Sequence, residues 1–200
     1  MSDPDSGRDR GRVFLLSPAS CSGRRAVQLL SPRAQFELAV RAILGQQVTV
    51  ALATRQSGII VRAFGTPVDD PLALALGLTH RFPTPAQLAV ADVADLGLMP
   101  GARARAITGL GGALAADPAL FEPDRDLERT VARLKALPGI GEWTAQYIAL
   151  RALREPDAFP AADVGLLRAM AAEFGRRPTA AELLARAERW RPWRAYAALH

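Results

Sequence analysis

The stretch Leu137-Pro138-Gly139-Ile140-Gly141 limits the possible folds of this chain more than any other. An amphipathic segment precedes it over residues 126–136, with Leu127, Val131, Leu134 and Leu137 on one helical face, and a second helical pattern follows over about 142–153. Glycine lets the backbone turn sharply and approach another surface with no Cβ in the way. The expectation is a helix–hairpin–helix over about 126–153, its turn amides pointing outward beside the positive end of the second helix. That arrangement is an anion site, and a nucleic-acid phosphate suits it without any basic side chain. An ordinary helix–helix turn would carry the same five residues, so their neighbours have to decide between the two.

The rest of the chain reads as helix almost throughout. Phe36, Leu38, Ala39, Ala42 and Ile43 recur at helical spacing until Gly45, and a second helix runs over 47–63. Thr84-Pro85 starts a helix, Pro100-Gly101 opens another over about 102–116, Asp163 and Thr179 each begin one, and Pro192 begins the last. Gly58, after Arg55-Gln56-Ser57, is unusual inside a helix, where it costs about 1 kcal/mol. No strand-like alternation stands out after residue 33, so the fold class is all-α, with two helical lobes around a cleft. Residues 1–12 read as a disordered leader, and 13–32 are ambiguous, with Val13–Leu16 a possible short strand.

Composition narrows the function. The net charge is +5, and Lys135 is the sole lysine among 25 basic residues, which permits a polyanionic partner. Cys21 stands alone, so an intramolecular disulfide, a thiolate zinc site and an iron–sulfur cluster are excluded within this chain. His80 and His200 have no metal-ligand spacing. No apolar run approaches the roughly 18 residues of a membrane span, and the start lacks the apolar core of a signal peptide, so a cytoplasmic protein is expected.

Downstream of the hairpin, Phe159-Pro160-Ala161-Ala162-Asp163 places an acidic residue at a helix start 22 positions after Gly141. With Phe36–Val50 (including Gly45-Gln46-Gln47), Phe82-Pro83-Thr84-Pro85 and Arg189–Tyr196, this set resembles the helix–hairpin–helix DNA glycosylase superfamily, in particular the bacterial 3-methyladenine DNA glycosylase II family, over about 35–200. The resemblance implies a monofunctional base-excision repair enzyme that flips out alkylated purines, of the 3-methyladenine and 7-methylguanine type, and hydrolyses the N-glycosidic bond. It implies Asp163 as the catalytic carboxylate, although a helix N-cap would also account for an aspartate there. Trp143 and Tyr147, four apart on one helix face, and Gln46 are implied at the base pocket, with Gln47 wedged into the duplex. Aromatic walls suit a cationic alkylated base. Leu137, Pro138, Gly139, Ile140, Gly141 and Thr144 are implied at the DNA phosphate.

Some members of the superfamily carry a lyase lysine where this chain has Trp143, so no lyase step is expected. The resemblance implies a monomer acting on double-stranded DNA at the bacterial nucleoid, with no cofactor and no metal held by side chains. A structural cation on the backbone carbonyls of about 136–141 is the one inorganic group it allows. It also implies a β-rich N-terminal domain, of which 1–34 would be a remnant or leader, and an aromatic residue beyond His200 that stacks on the flipped base. Trp190 and Trp193 read as staples of the last helix, and Arg103 and Arg105 as either phosphate contacts or a solvated face. Two other readings share the motif: a glycosylase of this fold for another damaged base, and a non-catalytic helix–hairpin–helix DNA-binding protein.

Overall fold

The computed structural model describes residues 31–122 and 126–200. Cys21 and most of the expected leader lie outside them. Helix α1 (Pro32–Leu44) opens with Pro32 at its first position and Ser31 as cap, whose hydroxyl accepts the Ala34 N–H at 3.3 Å. Helix α1 thus starts three residues before position 35. Phe36, Ala39, Val40, Ala42, Ile43 and Leu44 are buried, and α1 is the central strut of the larger core. After a short turn, α2 (Val50–Phe64) starts at Thr49, which caps it through the Leu52 N–H. A Cβ on Gly58 would make only ordinary contact with the Arg62 side chain, so nothing in the packing requires glycine there.

A two-residue antiparallel ladder, β1 (Thr66–Pro67) with β2 (His80–Arg81), is the one departure from helix among the described residues. It frames α3 (Pro71–Ala75), whose first amides are taken by the Asp70 carboxylate. Helix α4 (Pro85–Ala89) has the capping box that Thr84 and Gln87 make together. It packs along α5 (Gly101–Ala116), which also touches α1. Helices α6 (Leu127–Lys135) and α7 (Glu142–Ile148) flank the hairpin, and α7 continues through a π-turn over Ala149–Leu153.

The smaller lobe comprises α8 (Val164–Ala169), α9 (Ala171–Phe174) and α10 (Ala180–Ala187), while α11 (Arg194–Leu199) places Ala195 in the larger core and packs Ala198 against both. The last helix starts at Arg194, not at Pro192. Phe159, Leu167, Leu183 and Ala187 form the smaller lobe's separate core, with Trp190 packed on Phe159 at 6.0 Å between ring centroids. Two lobes with separate cores leave α7 and the start of α8 facing one another, which is where the candidate site lies. No helix among the described residues is long and apolar enough to cross a membrane.

Candidate active site

The hairpin turn has a definite geometry. Pro138 and Gly139 are its central residues, Gly139 has φ +81°, and the Ile140 N–H donates to the Leu137 carbonyl at 3.2 Å. Those are the features of a type II turn, which needs a positive φ at its third residue. A Cβ on Gly139 would also lie 2.6 Å from that of Ala106, so α5 presses directly on the turn. Gly141 is different: its φ is −88°, and a Cβ built there meets nothing within 4 Å. The two glycines that the sequence presents as a pair thus divide between fold and open approach. No side chain caps α7, so its leading amides face outward from Gly141.

One charge lies beside these outward amides. Glu142 opens α7, and its carboxylate is held by Lys135 Nζ at 2.6 Å. That hydrogen bond, helped by one from Gln146, lowers the Glu142 pKa against a smaller opposing effect of burial. Lys135 therefore offsets a carboxylate that would otherwise repel a phosphate. The carbonyls of Leu137 and Gly139 already accept hydrogen bonds, so a cation on the hairpin backbone would rely on the remaining ones.

Asp163 is half-buried at the start of α8, where it caps the helix and also reaches Trp143. Its Oδ1 accepts the amides of Gly165 and Leu166 at 2.8 and 3.2 Å, as a helix cap does. Its Oδ2 accepts the Trp143 indole N–H at 3.1 Å, across the gap between lobes. An ionised carboxylate has about four acceptor positions, so three donors leave room for another contact. Trp143 stacks on Tyr147 with centroids 5.2 Å apart and planes at 27°. Carboxylate and aromatic pair thus meet at one place.

Two predicted residues are engaged elsewhere. Gln46 Nε2 donates to the Gly139 carbonyl at 3.0 Å and to Thr144 Oγ1 at 2.9 Å, so this side chain is bound to the hairpin. Thr144 is buried behind the turn and does not project from it with the hairpin amides. Gln47, by contrast, is exposed, with φ +56° at the tip of the α1–α2 turn. Trp193 does not staple the last helix to the core: it is half exposed, and its ring meets that of Tyr196 edge-on at 5.5 Å.

Three supporting residues escape a reading of the sequence. Arg194, only 5 % exposed, grips Asp157 through its Nε and one terminal nitrogen at 2.8–3.0 Å and ties α11 to the loop before Asp163. Gln146 accepts the Phe159 N–H at 3.0 Å and fixes the same loop to α7. Arg103 donates to the Gln46 backbone carbonyl at 2.7 Å. The place of Gln146 one turn after Glu142 is the only local signal among the three. Among the described residues no group of three or more His, Cys, Asp or Glu is placed to hold a metal.

Comparison with known proteins bears on this arrangement. The model of the HhH-GPD superfamily of base excision DNA repair proteins matches residues 40–195. The probable bifunctional transcriptional activator/DNA repair enzyme AlkA of Mycobacterium tuberculosis is 44 % identical over 166 residues, covering 83 % of this chain and 32 % of its own. DNA-3-methyladenine glycosylase 2 of Escherichia coli is 38 % identical over 170 residues, covering 82 % of this chain and 56 % of its own. Among solved structures, a 3-methyladenine DNA glycosylase from Archaeoglobus fulgidus superposes with a TM-score of 0.67 at 27 % identity, over 80 % of this chain and 54 % of that one. The chain thus spans between a third and a little over half of these relatives' length.

Proposed function

This chain belongs to the HhH-GPD superfamily of base excision DNA repair proteins, and from that premise we propose that it is a monofunctional DNA glycosylase that excises alkylated purines from duplex DNA. The observation that carries the reading is the Asp163 carboxylate, held by two amides and by the indole of a stacked Trp143–Tyr147 pair.

Breaking the bond between C1′ and a base nitrogen builds positive charge on the sugar. A carboxylate fixed before the reaction stabilises that charge with no reorganisation during it. At about 4 Å and an effective dielectric near 20 the attraction is on the order of 4 kcal/mol. The three donors on Asp163 hold it oriented, and its remaining acceptor position can meet the sugar or the attacking water. A purine alkylated on a ring nitrogen is cationic, so it leaves readily and is attracted to the face of an aromatic ring. Trp143 thus has two roles: it orients Asp163 through its N–H and presents its ring to the base. Gln47 fills the gap left by the flipped nucleotide, and the amides of Gly139 and Gly141 hold a phosphate.

Water is the nucleophile in this scheme, and it calls for no cofactor. A Schiff-base lyase step would need a free amine at the sugar; Trp143 occupies the position of the lyase lysine, and the only lysine is paired with Glu142.

The test is release of free bases from methylated duplex DNA, with Asp163→Asn and Trp143→Phe beside the unaltered chain. The unaltered chain releases methylated purines and leaves abasic sites uncut. Asp163→Asn loses about a hundredfold or more in rate while still binding DNA. Trp143→Phe keeps an aromatic wall but loses the N–H, so its rate falls at saturating substrate more than its affinity does. Undiminished release by Asp163→Asn would remove that residue from the mechanism. Absence of release with DNA binding intact would leave a binding protein built on the same hairpin.

A further inference from the structure

The turn between α1 and α2 lies 93 and 98 residues from the hairpin partners it meets, yet one side chain joins them. Gln46 donates to the Gly139 carbonyl and to Thr144 behind the turn. Its own backbone carbonyl accepts from Arg103 at 2.7 Å, a charge-assisted contact from the first turn of α5. One turn further along α5, Ala106 fills the space that a Cβ on Gly139 would need. Helix α5 therefore holds the α1–α2 turn with Arg103 and the hairpin with Ala106, and Gln46 closes the triangle between them. The next residue is Gln47, exposed and in the left-handed conformation that residues bearing a side chain rarely adopt. Such a conformation persists only where its surroundings over-determine it, and here the bonds on Gln46 do so.

We infer that Arg103 and Gln46 are positioning residues that fix Gln47 relative to the hairpin, so that gripping the phosphate and filling the duplex gap are acts of one rigid unit. The inference rests on the glycosylase reading above and adds the device that couples its two DNA contacts. Its consequence is specific to extrusion of the base. A paired base must be unstacked at a free-energy cost, and the flipped state survives only while the gap is filled. A bulged base has largely met that cost already. A loosened Gln47 therefore hurts release from a paired site and spares a bulged one.

The experiment measures single-turnover release of 7-methylguanine from two oligonucleotides, one with the lesion paired in a duplex and one with it in a single-nucleotide bulge. It uses the full chain with Arg103→Met and Arg103→Lys. Arg103→Met is expected to slow release from the paired site about tenfold, the scale of a hydrogen bond to a charged donor, and from the bulge less than about twofold. Arg103→Lys restores part of the difference. Binding to undamaged duplex keeps its salt dependence. Equal slowing on both substrates would mean general damage to the fold and would overturn the inference, as would an unchanged rate. A salt slope reduced by about one would overturn it in favour of a direct phosphate contact by Arg103. Failure of the unaltered chain on both substrates would instead bring down the glycosylase reading itself, and this inference with it.

Discussion

At the scale of single residues, the two hairpin glycines are open to separate tests. Gly139 is required by the fold, through a φ of +81° and the 2.6 Å approach to Ala106. Left-handed strain and overpacking together make Gly139→Ala destabilising by about 2–4 kcal/mol. Gly141 has an ordinary φ and open space around its Cα, so Gly141→Ala changes stability by less than about 0.5 kcal/mol. Its added methyl stands where a phosphate would approach, and affinity for DNA falls about tenfold if an amide–phosphate hydrogen bond is lost. Thermal unfolding and fluorescence anisotropy on an undamaged duplex measure the two effects. Equal melting temperatures for the two variants would contradict this division of roles. The sequence shows both glycines and the aspartate after them, because turn chemistry is local. It does not show where Gln46 and Arg103 point, since their partners are set by how α1, α5 and α7 pack.

At the scale of elements, helix starts were the most legible feature, since a cap and its amides lie within four residues of each other. Thr84, Asp163 and Thr179 all stand where their sequence context predicts. Helix α3 was not legible, because Leu72, Leu74 and Leu76 alternate at a spacing of two and all are exposed; only the Asp70 cap and Pro71 make it a helix. The start of α10 makes a prediction about pH. Arg176, then the backbone and hydroxyl of Thr179, hold the Glu182 carboxyl down from 4.5 to about 2. A depressed folded pKa means stability present above the unfolded value and lost as pH falls toward the folded one. The contribution of Glu182 is therefore whole above about 4.5 and is lost between there and about 2. Thermal melts from pH 6 to 2.5 should show Glu182→Gln less stable than the unaltered chain at the upper end, the two converging at the lower. A constant offset would show that the carboxylate charge is not what α10 uses.

At the scale of the whole molecule, the site forms because two cores meet: Trp143 is on a helix of the larger, and Asp163 opens the first helix of the smaller. That meeting was implied by a family resemblance and could not be read from periodicity, which reports faces and never which face meets which. Charge is also misread when it is only counted. The net +5 suggests a broad attraction for DNA, but part of the arginine is spent internally. Arg41 pairs with Glu37, Arg176 with Glu182, Arg186 with Glu173, and Arg191 and Arg194 with Asp157 and Glu188. Each phosphate neutralised by a cationic side chain contributes about −0.9 to the slope of log affinity against log salt. With these five arginines kept on their carboxylates, the slope on undamaged duplex should be no steeper than about −5. Hairpin amides carry no net charge and release few counterions, so Gly141→Ala should give a line below and parallel to that of the unaltered chain. A slope that becomes shallower by about one on Arg194→Gln would mean that this paired arginine leaves its carboxylates for the backbone of DNA. The clamp that Arg194 makes on the loop before Asp163 would then open on binding, and the site would assemble on DNA instead of preceding it.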